Sequence, residues 1–252
     1  MSRPITLITG ASAGLGAEFA RQCAKRGEPL ALAARRRDRM EALAREIGGE
    51  VHIFEADLSK AGAAASLIAE LEAEGLSVGT LINNAGFGLG GPFADRPLAR
   101  QSEMIELNIR ALTELCHLVL PAMRERGQGA ILNVASTAAF QPGPNMAVYY
   151  ASKAYVLSFT EALHHELKGS GIRVSALCPG PTHSEFSDVA DSHSPTLERM
   201  KMPAAPVVAA GLAGLDSNKA VVIPGFRNKV GAQMSRILTR AAMRRIIGRI
   251  KV

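Results

Sequence analysis

Through the first two-thirds of the chain, short apolar runs alternate with longer stretches whose apolar residues recur at helical spacing. The runs fall at 5–8, 29–34, 51–55, 80–83, 130–134, 172–178 and 220–223, and most are rich in Val, Ile or Leu. Runs of that length predict strands, and the intervening stretches 15–26, 38–47, 61–74, 100–126 and 148–168 are long enough for helices. Such alternation implies parallel strands with helices on both faces. Leu7-Ile8 and Ile131-Leu132 fit, because a strand covered on both sides is continuously apolar. The expected architecture is α/β: a doubly wound parallel sheet of about seven strands, formed as one domain over residues 1–252. Two segments break the rhythm. Residues 181–206 carry Pro181, Pro195, Pro203 and Pro206 with scattered Ser and His, which predicts a functional loop or lid. From 230 to 242, Val230, Met234, Ile237, Leu238 and Ala241 share one helical face beside a stripe of Arg236, Arg240 and Arg244.

Composition changes this picture in only one respect. The 252 residues are 47% hydrophobic and 21% charged, which excludes disorder, collagen and a disulfide scaffold. The formal charge of +6 is unevenly placed. Residues 226–252 hold Arg227, Lys229, Arg236, Arg240, Arg244, Arg245, Arg249 and Lys251 and no acid; removing those eight leaves 21 basic against 23 acidic residues in 1–225. The basic segment suits a C-terminal helix docked on the domain or a neighbouring subunit, or one lying on an anionic membrane surface. Its amphipathic stretch has no aromatic side chain for base stacking, so nucleic acid is not an expected partner. No run of about 18 apolar residues predicts a membrane span, and the first residues read as a strand and not as a leader. Cys23, Cys116 and Cys178 are odd in number and set among apolar neighbours, as buried thiols of a cytoplasmic protein would be.

Three constellations carry chemistry. The first strand runs into Thr9-Gly10-Ala11-Ser12-Ala13-Gly14-Leu15-Gly16 and then a helix. Glycines at such a turn let the backbone approach a pyrophosphate held at the helix N-terminus, although a plain tight turn would look the same. Dinucleotide binders that use NAD place an acid about 20 residues further on, at the end of the second strand. Here Leu32-Ala33-Ala34 leads into Arg35-Arg36-Arg37, so a phosphate is welcomed where an acid would repel it. NADP(H) is the expected cofactor, with Arg35 leading; the bland alternative is three arginines solvating a loop. Thirdly, Tyr149 and Lys153 are four residues apart on a predicted helix and share a face. A nearby ammonium favours the phenolate and brings a phenol pKa down from about 10, making Tyr149 usable as acid or base. Ser136 follows a predicted strand, at the edge where open α/β sheets bind ligands.

Together these motifs resemble the short-chain dehydrogenase/reductase family over nearly the whole chain. The match rests on Thr9–Gly16, Asp57, Asn83-Asn84-Ala85-Gly86, Asn108, Ser136, Tyr149-Tyr150-Ala151-Ser152-Lys153 and Pro179-Gly180, in that order. The resemblance implies a Rossmann-type fold in which Tyr149 exchanges a proton with a carbonyl or alcohol oxygen and Ser136 orients that oxygen. It implies that Lys153 binds the nicotinamide ribose and holds the Tyr149 pKa down, and that Asn108 sits at a helix break supporting a water near Lys153. Gly10, Gly14 and Gly16 would cradle the pyrophosphate, with Leu15 in the same turn and Ser12 near the adenosine end, and Arg35 and Arg36 would meet the phosphate. Asp57 and Leu58 would meet the adenine, Asn84, Ala85 and Gly86 the adenosine side. Pro179, Gly180, Thr182 and Ser184 would meet the nicotinamide. Tyr150 would be a packing residue. Two positions depart from the pattern: Ala13 stands where NADP-using relatives often carry a base, and Ser184 follows Pro-Gly where Thr is usual.

The substrate side should be built from 87–96, 137–146 and 181–206, where Phe87, Phe140, Met146, Phe186, Met200 and Met202 give an apolar lining. A hydrophobic ketone or aldehyde is the expected small-molecule partner. His183 and His193 could touch it or merely solvate the loop, and His164-His165-Glu166 reads as a polar helix face and not a metal site. Pairing into a homodimer or homotetramer through 100–126 and 148–168 is implied by the resemblance. The rival readings are a catalytically silent NADP(H)-binding regulatory protein, and a sugar-nucleotide epimerase or dehydratase, which usually has a longer C-terminal portion.

Overall fold

The computed structural model describes residues 2–192 and 194–249; His193 and Lys251 lie outside them. Seven strands, β1 (Arg3–Thr9), β2 (Leu30–Ala34), β3 (Val51–Glu55), β4 (Leu76–Asn83), β5 (Gly129–Val134), β6 (Ile172–Leu177) and β7 (Val221–Val222), form one sheet in the order β3-β2-β1-β4-β5-β6-β7. Every pairing is parallel, with Ile8 opposite both Leu32 and Ile82, and Leu132 opposite Ser175. The helices before loop 181–206 are α1 (Gly14–Lys25), α2 (Arg37–Ile47), α3 (Ala63–Ala73), α4 (Leu98–Ile105), α5 (Leu112–Arg126) and α6 (Ala147–Glu166). Within loop 181–206 lie α7 (Phe186–Val189) and α8 (Pro195–Glu198), α9 (Ala204–Asp216) starts at its end, and α10 (Phe226–Ile237) and α11 (Arg240–Gly248) follow.

The period-two alternation of strand side chains sorts the core into two layers. Leu7, Ala31, Leu81, Ile131 and Val174 face one way, against Leu71 of α3, Leu115 of α5 and Val156 of α6. Ile8, Leu32, Ile82, Leu132 and Leu177 face the other, against Phe19 of α1, Met40 of α2 and Leu212 of α9. Doubly wound topology reverses direction between β1 and β4, and a crevice opens at the carboxyl ends of these strands. Inside the core, Asn83 donates to Asn133 at 3.0 Å and Asn133 donates to Thr160 at 3.0 Å. This buried polar chain ties β4, β5 and α6 together just beneath the crevice, where an unmatched amide would be costly.

Four boundaries differ from the sequence expectation, each for a local reason. The helix expected over 100–126 is α4 and α5 joined by a π-helical turn, Glu106–Ala111. Loop 181–206 contains two short helices and a parallel bridge between Thr182 and Met202. Helix α9, starting within that span, was not anticipated, because Val207, Val208, Gly211, Leu212, Gly214 and Leu215 are buried on several sides and leave no clean polar face. The basic tail is two helices and not one: Leu238 is extended (φ −85°, ψ 146°), and the Thr239 hydroxyl accepts from the Ala242 amide to cap a new start.

Candidate active site

The end of β1 is held open by three hydrogen bonds from the end of β4. The Thr9 hydroxyl accepts the amides of Asn84 and Ala85, both at 3.0 Å, and Asn84 Nδ2 donates to the Thr9 carbonyl at 2.9 Å. Gly10 then turns the chain at φ +65°, a region that side chains disfavour. Gly16 is required by contact: a Cβ there would run into the Gly10 carbonyl and lie 2.7 Å from Asn84 Nδ2. Helix α1 starts after Ala13 with no side-chain cap and no acid in its first turn, so its first amides suit an anion. Leu15 packs into the core beside this turn. Leu58 and Ala85 also turn towards the core.

Arg36, and not Arg35, reaches the glycine turn. As the residue preceding α2 it folds back, its Nε and Nη2 donating to the Ser12 hydroxyl at 3.2 and 3.1 Å. Arg35 is exposed and lies 3.8 Å from Glu103. Glu185 of loop 181–206 closes the cluster, accepting from Arg39 and, at 2.9 Å, from Arg36; these arginines hold its carboxyl below the usual range. At Asp57 burial pushes the carboxyl up, but bonds from the Ser59 hydroxyl (2.7 Å) and amide (3.1 Å), with Arg35 and Lys60 nearby, leave it lowered. The residues therefore fit an adenine dinucleotide phosphate: a backbone cradle that a Cβ would fill, and guanidinium donors beside Ser12 with no acid at the end of β2.

Ser136, Tyr149 and Lys153 meet at the carboxyl edge of β5. Ser136 leaves the strand extended and accepts from Ala138 N at 3.1 Å. Tyr149 and Lys153 lie on the buried face of α6, and Lys153 Nζ donates to the Val134 carbonyl at 2.8 Å. Burial pushes the Tyr149 phenol up to about 12; its hydrogen bond to the Ser136 hydroxyl opposes the rise, and Tyr150 adds to it. Burial likewise pushes the Lys153 ammonium down to about 8. The expected lowering of Tyr149 by Lys153 is thus not what this arrangement produces. Nζ stands 5.9 Å from the ring centroid and is engaged with a carbonyl, so desolvation of both groups dominates.

Asn108 sits in the π-helical turn, where the helix widens. Its side chain exchanges two bonds with Phe87 (2.9 and 3.1 Å) and donates to the Ser152 hydroxyl at 3.1 Å. Ser152 in turn donates to the Tyr149 carbonyl at 2.7 Å, so Asn108 braces the turn of α6 that carries the phenol. Gly86 lies against both Asn108 and Lys153: a Cβ there would be 2.9 Å from Asn108 Oδ1 and 3.5 Å from Lys153 Nζ. Tyr150 packs over Gly143.

Loop 181–206 covers the phenol. The Phe186 ring lies 5.2 Å from the Tyr149 ring, tilted by 51°. Phe87 and Met146 join Tyr149 in one apolar cluster against which Phe186 packs, and Gly88 leaves room for both Phe186 and Met146. The loop is held by Gly90 N donating to Ala190 O at 2.7 Å and by Arg96 against Asp191 at 2.9 Å. Ser184 leans on Gly14, while Thr182 turns its hydroxyl to the Gly180 carbonyl at 2.9 Å. Pro179 accepts the Thr137 amide at 2.9 Å. Three of the expected lining residues lie elsewhere: Phe140 packs against the larger core layer, Met202 against the opposite one, and Met200 is exposed. His183 is exposed, and His164 bonds the Val174 carbonyl at 2.7 Å.

Four contributors carried no assigned role in the sequence reading. Thr9 and Ser152 stand inside quoted motifs. Glu185 and Asn228 have no local signal: Asn228 of α10 packs on Gly180 and donates to the Pro224 carbonyl at 2.8 Å.

Residues 4–194 match the family model for short chain dehydrogenase. Sulfoacetaldehyde reductase 2 of Chromohalobacter salexigens is 42% identical over 187 residues, 73% of this chain and 74% of that protein. A solved short-chain dehydrogenase from Sphingobium yanoikuyae in complex with NADPH is 34% identical, with a TM-score of 0.82 over 93% of this chain and 94% of that one. The bulky-bulky ketone specific alcohol dehydrogenase from Comamonas testosteroni is 31% identical, with a TM-score of 0.78 over 94% and 93% of the two chains.

Proposed function

The chain belongs to the short chain dehydrogenase family, and on that premise we propose that it is a single-domain NADP(H)-dependent reductase interconverting a hydrophobic ketone or aldehyde and its alcohol. The observation that carries this reading is the convergence of Ser136, Tyr149 and Lys153 beside the glycine turn, under an apolar loop. When bound, NADPH supplies the hydride that reaches the carbonyl carbon. The remaining work falls to this chain's side chains. Tyr149 donates its phenolic proton to the carbonyl oxygen, and its high pKa keeps that proton in place at neutral pH. Ser136 holds the same oxygen, and Phe186 with the loop keeps water from the reacting atoms. Lys153 would hold the nicotinamide ribose, its ammonium charged below about pH 8. Arg36 and Ser12 would hold the 2′-phosphate, with Arg35 in a lesser part.

Phe87, Met146 and Phe186 around Tyr149 support a bulky apolar substrate. The Comamonas testosteroni neighbour's name agrees with that. The name of the 42% identical relative favours a second reading, a small aldehyde. NADPH oxidation against a graded panel of carbonyls, with NADH alongside, separates the two. Bulky ketones and aldehydes should turn over faster, and with NADPH. Turnover of small polar carbonyls alone would sink the hydrophobic reading, and equal use of NADH would sink the part given to Arg36. Exposed Ile105 on α4 and Tyr155 on α6 support self-association through these helices.

Glu185 competes for Arg36, the guanidinium given to the 2′-phosphate. Glu185→Gln removes a carboxylate beside a phosphate site, so NADPH should bind about 3–10-fold more tightly and NADH no differently. Fluorescence titration of both cofactors checks this; an unchanged NADPH Kd would show that Glu185 does not compete.

A further inference from the structure

The two C-terminal helices leave an organised surface that the reductase reading does not use. At 100° per residue, Asn228, Ala232 and Ser235 of α10 fall on one side, and these are its buried or half-buried positions. Asn228 packs on Gly180 there and donates to Met202 Sδ at 3.5 Å. Phe226, Val230, Met234 and Ile237 fall within about 80° of arc on the opposite side, and they are 81%, 46%, 40% and 82% exposed. Arg227 borders this stripe on one flank, and on the other Gln233 is followed by Lys229 and Arg236. Helix α11 buries Met243 and adds exposed Arg240, Arg244 and Arg245 with half-exposed Ile246. Its end lies against the segment before α6, with Gly248 beside Pro144.

We infer that this face is a docking surface for an anionic phospholipid bilayer. An apolar stripe turned squarely away from the domain, with cations on both flanks, matches a helix lying in the plane of a membrane interface, rings and methyls among the acyl chains and guanidinium groups at the phosphates. The charge argument separates this occupant from a second copy of the chain. Residues 226–252 contain eight cations and no acid, so a two-fold pairing through this face would set the cations against each other, whereas anionic headgroups neutralise them. The surface also adjoins the segments beside the site, through Asn228 to Met202 and Gly180 and through Gly248 to Pro144. A docked molecule would thus hold its loops close to the bilayer.

The chain has no Trp, so Phe226→Trp places a single indole on the stripe at an exposed position. Its emission should shift to the blue with vesicles of phosphatidylcholine mixed with phosphatidylglycerol, and the full-length wild type should float with them. Pure phosphatidylcholine should do neither, and raised salt should weaken both responses. The pair Phe226→Ser and Ile237→Ser should lower partition onto the anionic vesicles about tenfold or more, with turnover of a water-soluble carbonyl retained. Absence of flotation and of the blue shift overturns the inference, as does equal partition onto both vesicle types. Unchanged flotation of the double variant together with a smaller oligomer in solution overturns it too, since the stripe then serves a second copy. The readout needs no substrate, so failure of the reductase reading leaves it standing.

Discussion

Tyr149→Phe should lower turnover about 10²–10⁴-fold, the range removed with a general acid, and leave NADPH binding unchanged. The substitution deletes one oxygen. The ring remains packed against Phe186 and Tyr150, so the apolar cluster keeps its volume and the cover over the site its support. The lost group is the one whose proton the carbonyl oxygen needs and whose hydrogen bond meets Ser136. Stopped-flow measurement of NADPH oxidation, with a fluorescence titration of NADPH on the same sample, separates chemistry from binding. Retained turnover would show that another group delivers the proton. Loss of NADPH binding along with turnover would place Tyr149 in the cradle and not in the chemistry.

Gly16→Ala should act at the other end of the site. Its Cβ meets backbone, the Gly10 carbonyl, and the amide of Asn84 that ties β1 to β4. Neither can swing aside as a flexible side chain would. The expected strain is about 1–3 kcal/mol, relieved by opening the turn, so the NADPH Kd should rise about 5–150-fold. Gly231→Ala is the matched control: a Cβ there meets nothing within 4 Å, and Ala suits a helix interior better than Gly. Calorimetric titration of both variants checks the contrast. An unaltered Kd for the Gly16 variant would mean that the close approach is not needed for the cofactor.

Much of this molecule was legible along the chain because the relevant forces are local or periodic. Strands covered on both faces announce themselves as unbroken apolar runs, and their alternation with helices implies a parallel doubly wound sheet, whereas the strand order came from the structure. A glycine turn, Tyr149 and Lys153 on one helical face, and Ser136 at a strand end each depend on near neighbours, so spacing suffices to find them. Even the break at Asn108 was implied by a motif, although its π-helical form was not.

What the chain alone could not decide depended on residues far apart in sequence. Arg35 and Arg36 are neighbours with the same chemistry, and only the path of the backbone into α2 turned Arg36 towards Ser12. Glu185 reached Arg36 from 149 positions away. Phe140 and Phe186 look alike as apolar loop residues, yet one entered the core and the other covered Tyr149. Adjacency of Tyr149 and Lys153 predicted a lowered phenol pKa, but desolvation is a property of the packed surroundings and reversed the sign. The tail shows both sides. Its cations and its amphipathic period were plain in the sequence, whereas the direction of its apolar stripe was settled by which face found Gly180 and Met202 to pack against. Periodicity determines that a helix has two faces; only the tertiary structure decides which of them meets the protein.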